Sequence, residues 1–212
     1  MISKKMEPLM KNNSAIRMMF EEGKKMAALY GAENVYDFSL GNPSVPAPAA
    51  VNEAIMEVIR EEDSLFVHGY MSNAGYEDVR EAIAGSLNRR FGTSFGVQNI
   101  LMTVGAASGL NVILKTLLNP GEEVITFAPY FVEYGNYVRN YDGKLVVISP
   151  NTVDFQPNLQ EFGDKITEKT KAVIINTPNN PTGVIYSEET LLQISRILEE
   201  KQREYHTQIV LI

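Results

Sequence analysis

The amino-acid sequence predicts an α/β fold built on a mostly parallel sheet. Two observations carry this expectation. From about Ile100 onward, short β-branched runs alternate with amphipathic helical stretches, the pattern of strands joined by crossover helices. The runs are also near-continuous in apolar residues, as strands covered on both faces should be, whereas a strand with one wet face would alternate.

The elements follow in order. Before Ile100 the pattern is helical, with apolar stripes at Ile16, Phe20 and Ala27, at Val51, Ile55 and Ile59, and at Val79, Ile83 and Leu87. The segment from Tyr36 to Ser44 separates the first two stripes with Gly41 and Pro43. Strands are expected at Ile100–Val104, Glu123–Phe127, Lys144–Ile148, Ala172–Asn176 and Gln208–Ile212. Leu110, Leu114, Leu117 and Leu118 form a helical stripe that Asn119-Pro120-Gly121 ends by turn chemistry. Ser187 reads as an N-cap, with Glu188 and Glu189 in the first turn and Leu191, Ile194 and Leu198 on one face. The chain closes inside an apolar strand with no polar tail, and because terminal residues are usually surface segments, a truncated chain is expected.

Composition narrows the function classes. The apolar fraction of 44% is ordinary for a globular protein, and the net charge of −7 comes with scattered lysines and arginines and no basic block. That excludes an electrostatic footprint for nucleic acid or an anionic membrane and points to a small-molecule ligand. With no cysteine, a disulfide framework, a thiolate nucleophile and a cysteine-ligated metal are all excluded. No apolar stretch approaches membrane-spanning length, so a cytoplasmic protein is the expectation. His68 and His206 lack a second ligand at metal spacing and are read as structural or surface residues.

Two loops could carry chemistry. Val104-Gly105-Ala106-Ala107-Ser108-Gly109-Leu110 joins a strand to a helix. Its small residues either let helix-start N–H groups approach a phosphate or simply pack the helix close to the sheet. A P-loop would need Gly-Lys-Ser/Thr, a dinucleotide fingerprint its three glycines and a later acidic residue, and a nucleophile elbow a glycine where Ala106 stands. None is present. The second loop, Asn176-Thr-Pro-Asn-Asn-Pro-Thr-Gly183, follows the fourth strand, at the carboxyl edge where parallel sheets bind ligands. An asparagine amide held there can donate to a ligand oxygen without a change of charge.

The Asn-x-Pro-x-Asn-Pro-Thr-Gly element, the small-residue loop and the spacing between them resemble the class I/II aminotransferases of pyridoxal-phosphate (PLP) fold type I, from about Val35 to Ile212. The resemblance implies a three-layer sandwich, with residues 1–45 as an N-terminal arm and small-domain segment and 46–212 as the incomplete N-terminal part of the PLP-binding large domain. It implies PLP as cofactor. Gly105, Ala106 and Ala107 would hold its phosphate through backbone groups, with Ser108 able to add a hydroxyl. Phe131 would stack on the pyridine ring, Tyr130 being the alternative if the register is off by one. Asn180 would hydrogen-bond the ring hydroxyl. Tyr70, in Gly69-Tyr70-Met-Ser-Asn-Ala-Gly75, would reach the cofactor phosphate of a neighbouring subunit in a homodimer. Gly41, in Gly41-Asn42-Pro43, would lie near the substrate α-carboxylate, and Tyr134 would line the substrate side.

The resemblance also says what these residues lack. The family's Ser-x-x-Lys motif, which carries the Schiff-base lysine, does not occur, so no catalytic lysine is assigned and the 212-residue chain alone is expected to be inactive. The implied activity of the complete protein is transfer of an amino group between an amino acid and a 2-oxo acid. A PLP-dependent lyase or synthase shares every motif found here. A non-catalytic aminotransferase-like sensor domain is a further alternative, although such fusions carry a basic DNA-binding region ahead of this one, and the N-terminus here is short and insufficiently basic.

Overall fold

The computed structural model describes the chain except for Met1, Lys5, residues 8–14, Ser39, Leu40, Asn42 and Ser44, and describes Ala15, Ile16 and Arg17 by backbone only. The expectations at Asn42 and at the Ile16 side chain therefore lie outside the described residues. The chain divides into two compact units, Met1–Met71 and Ser72–Ile212.

The first unit is helical. Helix α1 spans Ala15–Tyr30, α2 Ala49–Glu61 and the single-turn α3 Ser64–Val67. Phe20 and Ala27 of α1 are partly covered, as their shared stripe predicts. The stripe on α2 forms but stays open, with Val51, Ile55 and Ile59 46%, 54% and 67% exposed. Asp63 starts α3 by accepting from the N–H groups of Leu65 (2.7 Å) and Phe66 (3.3 Å), two of the donors a helix start leaves free.

The second unit begins with α4 (Glu77–Phe91) and α5 (Gly105–Leu117), then alternates β1 (Glu123–Phe127), α6 (Tyr134–Asn140), β2 (Lys144–Ile148), α7 (Leu159–Lys165), β3 (Thr170–Ile174), α8 (Glu188–Tyr205) and β4 (Val210–Leu211). The sheet has the order β2-β1-β3-β4 and every pairing is parallel. Alternation along β1 sends Val124 to one face and Ile125 and Phe127 to the other. On the first face they meet Leu114 of α5 and Val138 of α6; on the second, Phe162 of α7 and Ile194 and Leu198 of α8. The result is the expected three-layer sandwich, and it explains why all five β1 residues are buried.

Ile100–Val104 is not a strand. Apolar content specifies burial, but a strand also needs a neighbour to pair with, and none of the described strands lies alongside it. The Met102 N–H goes instead to the Ala74 carbonyl (3.0 Å), and Leu101, Met102 and Val104 are 55%, 41% and 93% exposed. The strand expected at Ala172–Asn176 lies two residues earlier, at Thr170–Ile174. The last is cut to Val210–Leu211, although Ile212 still exchanges backbone hydrogen bonds with Val173 and Ile175 at 2.9 Å. Ser187 caps α8 as expected, accepting from the Thr190 N–H at 3.1 Å.

Candidate active site

The carboxyl ends of β1 and β3 and the start of α5 supply the candidate groups. Val104 occupies the N-cap of α5 and offers no side-chain oxygen, and the first turn holds no acidic residue. The Gly105 N–H donates back to the Thr103 carbonyl (2.9 Å), so the N–H groups that follow it and the positive end of the macrodipole are what this helix start offers an external anion. Gly105 takes φ +75°, a left-handed conformation that an L side chain rarely adopts, and an added Cβ there would meet nothing within 4 Å. Ala106 and Ala107 are exposed beside it, so no bulk guards the helix end.

β1 leads through Ala128-Pro129 to a cluster of rings. Phe131 is partly covered and meets Tyr134 edge to face, with centroids 5.7 Å apart and planes at 81°. Tyr130 stacks on Tyr134 at 6.3 Å and 12°. Leu110 of α5 packs on the same apolar cluster as Tyr130 and Phe131, so α5 and these rings share one face of the sheet. Tyr134 itself is only 8% exposed. Burial, and then the neighbouring Tyr137, push its hydroxyl pKa up; burial and then Tyr134 do the same to Tyr186. Both are neutral phenols near physiological pH.

β3 leads into the turn 176–183, where two adjacent asparagines are used oppositely. Asn179 is buried: its Oδ1 accepts from the Thr182 N–H (3.2 Å) and hydroxyl (2.9 Å), its N–H donates to the Val184 carbonyl (2.9 Å) and its carbonyl accepts from the Gly183 N–H (2.7 Å). Asn180 is exposed, and its N–H donates to Asn176 Oδ1 at 2.7 Å. Its side-chain amide has no partner among the described residues. Beyond the turn, Tyr186 N–H donates to Thr177 Oγ1 (2.9 Å), and Gln156 holds the exit by bonding the Ile185 carbonyl (3.1 Å), the Ser187 N–H (3.2 Å) and the Thr190 hydroxyl (3.0 Å).

Helix-start N–H groups, an aromatic ring and a side-chain amide without a partner among the described residues are the kinds of group that would hold a phosphorylated aromatic ring. Tyr70 and Gly41 belong to the first unit; Tyr70 is fully exposed, and Gly41 is exposed with open space around it. His68 and His206 are exposed at the C-termini of α3 and α8, where His206 takes φ +50°. No cluster of potential metal ligands occurs among the described residues, and no helix there is long and apolar enough to cross a membrane. Sequence reasoning missed Asn179, whose Asx-type bonding to its own turn is a known habit of asparagine. It also missed Gln156, whose partners lie about thirty residues away and leave no local signal.

The family model for aminotransferase class I and II matches residues 33–203. The chain belongs to this family. Among class I and II aminotransferases, it is 34% identical over 169 residues to a probable aspartate/prephenate aminotransferase of Aquifex aeolicus, covering 79% of this chain and 42% of that one. It is 32% identical to an aspartate aminotransferase of Thermotoga maritima, covering 85% and 47%. The crystal structure of an amino transferase from Eubacterium rectale superposes with a TM-score of 0.95 at 44% identity, over 99% of this chain and 53% of that one. The chain thus spans about half the length of the curated relatives it matches. Class I and II aminotransferases are PLP-dependent, and the donor set described above fits that cofactor.

Proposed function

We propose that this chain forms the cofactor-binding part of a PLP-dependent transaminase that moves an amino group between an amino acid and a 2-oxo acid. The observation that carries the reading is Asn180: an exposed amide with no partner among the described residues, at the carboxyl edge of a parallel sheet, in a turn whose neighbouring asparagine spends its Oδ1, N–H and carbonyl on the turn itself. PLP, when bound, supplies the electron sink for the chemistry at the substrate α-carbon. The protein's part is to bind and orient. Backbone N–H groups at Ala106 and Ala107 hold the phosphate, aided by the α5 dipole, and Gly105, whose own N–H goes to the Thr103 carbonyl (2.9 Å), leaves the approach open. Phe131 covers a ring face, and Asn180 donates to the ring oxygen and draws charge from it. Tyr134, assigned to the substrate side, also backs the Phe131 ring through their edge-to-face contact. Gly41 lies toward the substrate carboxylate, and Tyr70 reaches a neighbouring subunit's phosphate in a homodimer.

The test is an exchange assay on the full-length protein with PLP, an amino acid panel and a 2-oxo acid acceptor. Stoichiometric appearance of a new amino acid with a new 2-oxo acid is expected. Release of ammonia or loss of a substituent without amino transfer would overturn transamination in favour of lyase or synthase chemistry, and failure to bind PLP would overturn the site.

A further inference from the structure

We infer that Asn179, which touches neither cofactor nor substrate in this reading, is the positioning residue that aims the Asn180 amide. The inference deepens the proposed function and rests on the assignment of Asn180 to the cofactor ring.

The turn has a structural problem that its composition creates. Pro178 and Pro181 carry no backbone N–H, so the segment 176–183 has two fewer donors with which to hold itself together. Side chains replace them. Asn179 is the hub: four hydrogen bonds converge on its Oδ1, N–H and carbonyl, at 2.7 to 3.2 Å, and it is 7% exposed. Thr182 is its counterpart, giving its N–H and hydroxyl to Asn179 Oδ1 while its Oγ1 accepts from the Val184 N–H (3.3 Å). The Asn179–Thr182 pair thereby closes the turn around Asn180-Pro181 and fixes the backbone from which the Asn180 side chain projects.

Asn180 has one further tether, its N–H to Asn176 Oδ1. That bond anchors the backbone on the β3 side; the Asn179–Thr182 pair anchors it on the far side. Loss of the Asn179 amide would leave the Thr182 N–H and hydroxyl without their acceptor in a partly buried site, and the turn would relax to recover partners from water. Asn180 would remain in the sequence but no longer be held where a ligand oxygen meets it. A donor on a relaxed backbone averages over orientations, and its effect on the bound ring weakens accordingly.

The experiment uses the full-length protein and reads the visible absorbance of bound PLP and the pH midpoint of its colour change, with apo-protein melting as a check on folding. Asn180→Ala should shift the band and midpoint. Asn179→Ala should shift both in the same direction by a smaller amount. Thr182→Val, which removes the hydroxyl from the same pair, should behave like Asn179→Ala, whereas Thr182→Ser should retain the wild-type spectrum. The Thr182 variants carry the test if Asn179→Ala does not fold. A shifted Asn180→Ala spectrum with wild-type spectra for folded Asn179→Ala or for Thr182→Val would overturn the inference. An unshifted Asn180→Ala spectrum would instead overturn the assignment of Asn180 to the ring, and the inference with it.

Discussion

Gly105 shows how one residue serves fold and site together. At φ +75° an L side chain pays a conformational cost, while an added Cβ would meet no atom within 4 Å, so backbone strain is the whole penalty inside the protein. Gly105→Ala should therefore lower stability by about 1–2 kcal/mol, measured by chemical denaturation, and the methyl would stand where the proposed phosphate seat needs open approach. Glu123 is the corresponding case at the opposite edge of β1. Burial acts to raise its carboxyl pKa, but hydrogen bonds from Lys144 (2.9 Å) and Thr167 (2.8 Å) outweigh it, and the group sits below its ordinary value. A carboxylate depressed in the folded state contributes stability that is complete above its unfolded pKa and is lost as pH falls through the folded one. Thr167→Val removes one of those donors and lets the folded pKa rise. Acid unfolding should then begin at higher pH than in the wild type, with little change near neutrality beyond a uniform offset. An unchanged acid midpoint would show that Thr167 does not hold the carboxylate down.

At the scale of elements, what the sequence discloses depends on whether the cause is local. Ser187, Glu188 and Glu189 announce the start of α8, and the cap bond to Thr190 forms at 3.1 Å. Ser187→Ala should cost about 1 kcal/mol, seen as a lower melting temperature without loss of the cofactor spectrum in the full-length protein. The Leu110 and Leu114 stripe likewise finds its buried face, because helical period and burial are both local patterns. Ile100–Val104 fails for the opposite reason: its apolar run is local, but strand identity resides in a partner elsewhere. The turn at 176–183 lies between these cases. Its position after a strand, its prolines and its glycine were legible, and the resemblance singled out Asn180. The division of labour between Asn179 and Asn180 was not, since it depends on which amide the fold buries. Helices α6 and α7, each seven residues long, are too short for a periodic signal and were missed.

At the scale of the molecule, the parallel sheet of the second unit has two edges, and they are treated differently. The β2 edge is guarded by charge. Lys165 Nζ donates to the Val147 carbonyl (2.8 Å) and pairs with Glu161 (2.6 Å), whose other oxygen accepts from the Ser149 N–H (2.9 Å). Lysine and carboxylate at an edge discourage another strand from pairing there. The β4 edge has no such device among the described residues: Val210 and Leu211 are 39% and 44% exposed and carry no charge. The same unit exposes Leu101, Met102, Val104, Val112 and Ile113. A strand edge without gatekeepers together with exposed apolar side chains favours association, and a net charge of −7 opposes it only through repulsion that salt screens. Residues 1–212 expressed alone should therefore self-associate, increasingly so as ionic strength rises, and should show no amino transfer with added PLP, since no Ser-x-x-Lys is present. Light scattering after size-exclusion chromatography at low and high salt measures the first claim, and the exchange assay measures the second. Replacing Leu211 by lysine places a charge on the unguarded strand and should reduce the association. A monodisperse monomer with a cooperative melt at either salt concentration would refute the edge argument, and turnover by this segment would refute the need for the absent lysine.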